Sequence, residues 1–429
     1  MRQIVIKKST QVITLAIVFI FALKFFQSTP FEALFFQLQA GFLGFTLFFL
    51  IGYIASYLVK RKRFNKVVLY YLLLIVILPF YGAYRAHDEF GQPFIYGYLT
   101  ERGWLLLGAG IWLHYELTTK KMTFGTIESA FLFMAWVSLI VFSLLVLTFD
   151  PSQLQGAEEA SKMVFDTEDR GVRFKFQTYF ITFGAIYYFV KYSIEKSPKD
   201  LILLFLFLGY ILFIVQGRTY MMTLAATFLL YYSFNYSLSR FVLTTIKLLL
   251  FLFFALIAIQ ILMPDYLERM GNLFAQMFTV FKGEESQDVS ANARISASLI
   301  VVNYFEAHSL SIWLGTGSVS NQWNDGYSSI FGYFYPSDIG ILGGLFVYGI
   351  AGLVFLFLIP LFITSQTLRM VSGKGDVFIM SLKYLLVLEL LKSIQGSFYF
   401  VPIAYIIPLF ILMAYFKLQE RSHASQHTA

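Results

Sequence analysis

The sequence predicts an all-α polytopic integral membrane protein, a single membrane domain over residues 1–429 with about twelve transmembrane helices and a large outer-face loop carrying short helices. Three observations predict it. Of 429 residues, 58% are apolar and only 13% are Asp, Glu, Lys or Arg, against roughly 45–50% and about 25% in soluble domains. The apolar residues stand in unbroken runs, and a bilayer's hydrocarbon core demands about 20 such residues per helix. The basic residues cluster in alternate connections, as a polytopic chain requires.

The runs centre near residues 11–27, 31–59, 67–83, 100–116, 127–149, 174–191, 201–216, 219–234, 246–263, 339–364, 377–394 and 401–416. The first follows Arg2, Lys7 and Lys8 as a signal peptide would. It ends in Lys24-Phe-Phe-Gln-Ser-Thr-Pro30 without a small-residue cleavage site, so it reads as a retained helix.

With the N-terminus in the cytoplasm, the connections on that side are 1–8, 60–66, 117–126, 191–200, 235–247, 366–376 and 417–429. They hold 19 of the 32 Lys and Arg but only four of the 25 acids, Glu195, Asp200, Asp376 and Glu420. Basic residues in short loops set orientation, so both termini are expected inside and the number of spans even. The net charge of +7 then faces anionic lipid, and no nucleic-acid partner is needed. The chain has no cysteine, which excludes a disulfide framework, a thiolate nucleophile and a Cys-based metal site. The tail His423-Ala-Ser-Gln-His427-Thr-Ala is polar and reads as a solvated end rather than a metal site.

Two outer segments are long: the acidic loop 150–173, and the loop 264–338, the only one large enough for structure of its own. By contrast, Gln216-Gly217-Arg218 is a tight outward turn between the seventh and eighth runs. An arginine at this boundary either snorkels to headgroups or pairs with an anion, and Gly217 permits close approach of a ligand. Arginine offers a rigid donor fork matched to phosphate and stays charged, so its chemical role is a clamp and not a base.

In the large loop, Arg294 precedes apolar residues at helical spacing, Ile295, Leu299, Val302 and Phe305, which read as an amphipathic helix on or over the membrane. Arg294 is then either a surface arginine or an anion ligand near a helix start. His308 is the loop's one histidine, a base or a bystander. Gly315 and Gly317 read as turn glycines. Trp323, Tyr327, Phe331, Tyr333, Phe334 and Tyr335 form either an interfacial belt or a sugar-stacking surface.

Asp338 stands at the mouth of the tenth run, where an aspartate is costly unless paired and can serve as a general base. Lys24, Glu128, Lys383, Glu389 and Lys392 lie inside runs and read as buried pairs, snorkelling ends or a relay; Glu389 and Lys392 share a helix face. Asp166, Glu168 and Asp169 suit either a divalent cation or a solvated acidic loop. There is no Walker loop and no dinucleotide fingerprint.

Taken together, these features resemble the O-antigen ligase and O-antigen polymerase superfamily. The residues that carry the likeness are Arg218 in its turn, Arg294 opening an apolar helix, Leu314-Gly315-Thr316-Gly317, and Ser337-Asp338 leading a span with Gly340, Gly343, Gly344, Gly349 and Gly352. Phe94-Ile95-Tyr96-Gly97 followed by Glu101-Arg102-Gly103-Trp104 resembles exopolysaccharide polymerases.

The resemblance implies a glycosyltransferase of the bacterial inner membrane that takes glycan from undecaprenyl pyrophosphate at the outer face. Arg218 and Arg294 would be diphosphate ligands, and a chain-length regulator protein a further partner beside membrane lipid. Ligases of this type show His-Asn where this chain has Ser337-Asp338, which favours a polymerase with Asp338 as base and His308 as its competitor. A lipid pyrophosphate is already a good leaving group, so the chemistry calls for no cofactor, nucleotide or obligatory metal. A ligase of the same superfamily is one alternative, and a twelve-span transporter or flippase of lipid-linked glycans is another.

Overall fold

The computed structural model describes residues 8–60, 65–148, 164–167, 171–237, 289–371, 375–395 and 403–427, with isolated positions between 239 and 261. The described chain is a helical bundle. Six of its helices are long and apolar enough to cross a membrane: Glu32–Val59, Lys66–Phe90, Phe124–Thr148, Pro198–Val215, Pro336–Met370 and Ile403–Arg421. Shorter or less apolar helices fill the bundle: Lys8–Ala22, Leu107–Thr118, Tyr179–Glu195, Arg218–Asn235 and Val377–Gln395. Each predicted run except 246–263, which lies largely outside the described residues, contains helix, though 23–27 are turn and 174–178 precede their helix.

Helix ends follow local chemistry. Asn65 caps Lys66–Phe90 by accepting from the Val67 amide at 2.8 Å, and Gly91, in the left-handed region, closes it. Pro198 sits in the first turn of its helix, where its missing N–H costs nothing.

The run predicted at 100–116 departs from a plain span. It comprises the helix Phe94–Thr100, a 3-10 turn Glu101–Leu106 and the helix Leu107–Thr118, which is almost wholly buried against Ile403–His427. Gly110 lies against Ile406 and Phe410 and Gly184 against Phe207, so small residues allow the backbones to close up.

Tyr179–Glu195 is the hub. It packs on Phe124–Thr148, Pro198–Tyr210 and Val377–Gln395, and an aromatic cluster of Phe19, Phe131, Phe180, Phe183 and Phe378 fills the space between. Glu32–Val59 lies at the periphery instead, with Phe48 76% exposed on the apolar surface that a bilayer covers.

Two features depart from a purely helical picture. The strands Val164–Thr167 and Gly171–Phe174 pair antiparallel, with Val164 opposite Phe174, inside what reads in the sequence as an acidic loop. Asp166 falls in the first strand, while Glu168 and Asp169 lie outside the described residues. The helix Pro336–Met370 is also broken: Gly349 has φ 69° and ψ −171°, and a π-turn follows at Val354–Leu358.

The break has a partner in the segment 314–320. Thr316 and Gly317 donate their amides to Phe346 O and Val347 O at 2.8 Å each, and the Ser318 amide reaches Gly82 O at 3.2 Å. Residues 315–320 are all buried. Val347 lies about 10 Å along the helix from Gly340, so the predicted outer loop re-enters the bundle as extended backbone. Such backbone is tolerated at membrane depth only where protein covers it and satisfies its polar groups.

Gly315 (φ 73°) and Gly317 (φ 82°) are therefore not simple turn glycines. A Cβ at 315 would fall on Val347 O and Gly349 N, and one at 317 on Ala86 N and Gly82 O.

Candidate functional site

Arg294 and Asp338 line one small open pocket together with Ala293, Ala297, Tyr333 and Tyr335. Arg294 comes from the second turn of the helix Val289–Ala307, and Asp338 from the 3-10 turn Pro336–Ile339 at the mouth of the broken helix. Two local devices bring them together. Gly343 leaves room for the Pro336 carbonyl, so the turn folds back over the first turn of its own helix. Ala297, buried and small, lets the Val289–Ala307 helix settle against that turn.

Both charged side chains are exposed. Partial burial raises the Tyr333 phenol above its ordinary pKa; the Asp338 charge adds to that and the Arg294 charge opposes it. Tyr333 thus senses both charges of the pocket. A cation, a carboxylate and two tyrosines on one surface can bind a phosphate, accept a proton and stack on a sugar face.

The Val289–Ala307 helix is apolar on two sides. Ala297, Val301 and Phe305 face the core, while Ile295, Leu299 and Val302 of the predicted stripe are exposed. Its far end is anchored by a polar network absent from the sequence reading. Glu89 accepts from Tyr304 Oη at 2.7 Å, from Ser311 Oγ at 2.8 Å and from Arg85 Nη2 at 2.7 Å. Arg85, buried, also pairs with Asp88 and donates its Nε to Gly315 O at 3.1 Å. Burial raises the Tyr304 phenol's pKa, and the Glu89 carboxylate raises it further.

A further carboxylate, the buried Glu101, accepts from Trp104 Nε1 at 2.7 Å, Tyr348 Oη at 2.7 Å and Ser318 Oγ. The two networks clamp the re-entrant segment between Lys66–Phe90 and the broken helix. The sequence signal for the first was available: Arg85-Ala-His-Asp88-Glu89 puts acids at i+3 and i+4 from an arginine near a span end.

His308 stands apart. It precedes the short helix Ser309–Leu314 without capping it through its side chain, is exposed, and stacks on Tyr304 with ring centroids 4.3 Å apart. It lies roughly 20 Å further along the helix axis than Arg294, at about 1.5 Å per residue, and does not line the Arg294–Asp338 pocket.

Arg218 is the first residue of Arg218–Asn235, after Gln216 in the left-handed region and Gly217 at the helix cap. The tight turn is thus formed as the sequence predicts, and the Arg218 side chain lies outside the described residues. Among the residues inside runs, Glu389 pairs with Lys392 at 3.0 Å, Glu128 accepts from Tyr187 Oη at 2.7 Å, and Lys383 donates to Val371 O at 2.9 Å. No family model matches the chain, and no curated protein or solved structure matches it either.

Proposed function

We propose that the chain is a membrane glycosyltransferase, a polymerase that joins undecaprenyl-pyrophosphate-linked repeat units into O-antigen or exopolysaccharide at the outer face of the bacterial inner membrane. In this reading the chain makes about twelve spans with both termini in the cytoplasm, and residues 264–338 and 150–173 lie outside. The observation that carries it is the pocket shared by Arg294 and Asp338, with Tyr333 and Tyr335 on its wall.

The acceptor sugar hydroxyl attacks the anomeric carbon of the donor glycan, and Asp338 takes the hydroxyl proton. The bond from that carbon to the pyrophosphate oxygen breaks, and undecaprenyl pyrophosphate leaves with the bonding electrons. Arg294, with Arg218, neutralises the charge that develops on the leaving diphosphate. Binding at a membrane-borne pocket suits a donor whose lipid tail stays in the bilayer.

The break at Gly349 supports a second reading, because transporters build midplane sites on discontinuous helices. The two readings part in proteoliposomes supplied with a synthetic undecaprenyl-pyrophosphate repeat unit. The polymerase reading expects a ladder of products that differ by one repeat. Movement of the lipid-linked unit across the bilayer without elongation contradicts it and favours a transporter.

A further inference from the structure

The helices Tyr179–Glu195, Arg218–Asn235 and Val377–Gln395 bring polar groups together at one end of the bundle. Tyr179 is the first residue of its helix, Tyr220 lies in the first turn of its own, and Glu389 and Lys392 occupy the last two turns of the third. Lys392 Nζ reaches both carboxylate oxygens of Glu389, at 3.0 and 3.1 Å, and lies 5.7 Å from the centroid of the Tyr220 ring. Glu389 also interacts electrostatically with both phenols.

Two groups here are unspent. Tyr179 is 3% exposed, and its buried hydroxyl has no hydrogen-bond partner among the described residues. The Tyr220 hydroxyl is likewise buried; the Thr178 side chain interacts with it, and it has no partner within bonding distance among the described residues. Buried polar groups are nearly always paired, so two orphans beside one ion pair call for an explanation. The Lys392 ammonium has three protons, of which Glu389 engages two. Among the described residues, one ammonium proton and two phenol protons remain without an acceptor, beside the helix turn that Arg218 opens.

The geometry points to this cluster as a site for the phosphate group of a membrane lipid, with Lys392 as charge and Tyr179 and Tyr220 as donors. Glu389 positions Lys392. A phosphate oxygen has only lone pairs to offer, which matches donors that have no acceptor of their own. That the cluster meets headgroups at the outer leaflet rests on the topology proposed above. Two lipids supply this chemistry, the pyrophosphate carrier and a bulk anionic phospholipid.

The test uses full-length protein in detergent, titrated with undecaprenyl pyrophosphate and separately with phosphatidylglycerol, with affinity and thermal unfolding as readouts. Lys392→Gln should lose roughly ten- to a hundredfold in affinity, the scale of one charge-assisted hydrogen bond, and Lys392→Arg should retain most of it. Tyr179→Phe should unfold at the same or a higher temperature than wild type without lipid, because it removes an orphan hydroxyl. Its lipid-induced rise in unfolding temperature should be smaller.

A loss in Lys392→Gln confined to the pyrophosphate identifies the carrier as the occupant, and an equal loss for phosphatidylglycerol identifies a phospholipid; either loss upholds the site. Unchanged affinity for both lipids in Lys392→Gln and Tyr179→Phe overturns it. Loss of binding in Arg294→Ala alone would leave the polymerase reading standing and remove this site. Loss in Lys392→Gln from a wild-type protein that cannot elongate glycan would do the reverse.

Discussion

Tyr304 donates a 2.7 Å hydrogen bond to Glu89, tying the helix that carries Arg294 to the membrane helix Lys66–Phe90. The catalytic geometry proposed here depends on that tie, because Arg294 and Tyr304 ride on one rigid helix. Tyr304→Phe should destabilise the protein by about 1.5–3 kcal/mol, the range for a hydrogen bond to a charged group. Arg85→Ala should cost more, about 3–5 kcal/mol, because it leaves Glu89 without its buried cation. Thermal unfolding in detergent ranks the two variants, and the opposite order would contradict the network described.

Gly317→Ala tests the re-entrant segment. The new Cβ would fall on backbone of the Lys66–Phe90 helix at a residue whose φ is 82°, so clash and strain add. Gly332→Ala is the comparison, with φ 74° and open space around the Cβ position. Gly332→Ala should cost about 1–3 kcal/mol from backbone strain alone, whereas Gly317→Ala should sharply lower the yield of folded protein. Equal yields would show that residues 314–320 are not packed as described.

Glu101→Gln removes a charge yet should destabilise. The wild-type carboxylate receives three donors, and the amide nitrogen of glutamine would face at least one of them. Trp104 is one of the donors, so its fluorescence should shift as its acceptor changes from a carboxyl group to an amide. An unchanged spectrum and unfolding temperature would remove Glu101 from the clamp.

These sites mark where the sequence was legible. Unbroken apolar runs announced the helices, since a bilayer imposes length and composition directly. The turn at Gln216-Gly217 followed from local order along the chain. The clamp did not, because Glu101 finds Ser318 and Tyr348 across more than half the chain, and a single sequence carries no signal for such pairing. Gly315 and Gly317 were misread for a related reason. A glycine needed for close approach of two backbones looks in sequence like a glycine needed for a turn, and only the neighbour decides.

Arg218 and Arg294 should differ from a generic basic surface in their response to lysine. Alanine at either position should slow elongation strongly while the protein still inserts in the membrane. Lysine should restore only part, because a point charge cannot reproduce the guanidinium fork. Loss of one such contact corresponds to roughly ten- to a hundredfold in rate. Full elongation by both alanine variants at normal protein levels would remove the diphosphate assignment.

The central claim is that Asp338, beside Arg294, is the base of a glycan polymerase. The most direct measurement is elongation of a synthetic undecaprenyl-pyrophosphate repeat unit by purified wild type, Asp338→Asn and His308→Ala proteins. The account predicts a ladder from wild type and from His308→Ala, and a rate lowered about 10²–10⁴-fold in Asp338→Asn with substrate binding retained. A normal ladder from Asp338→Asn, with His308→Ala inactive, would contradict it.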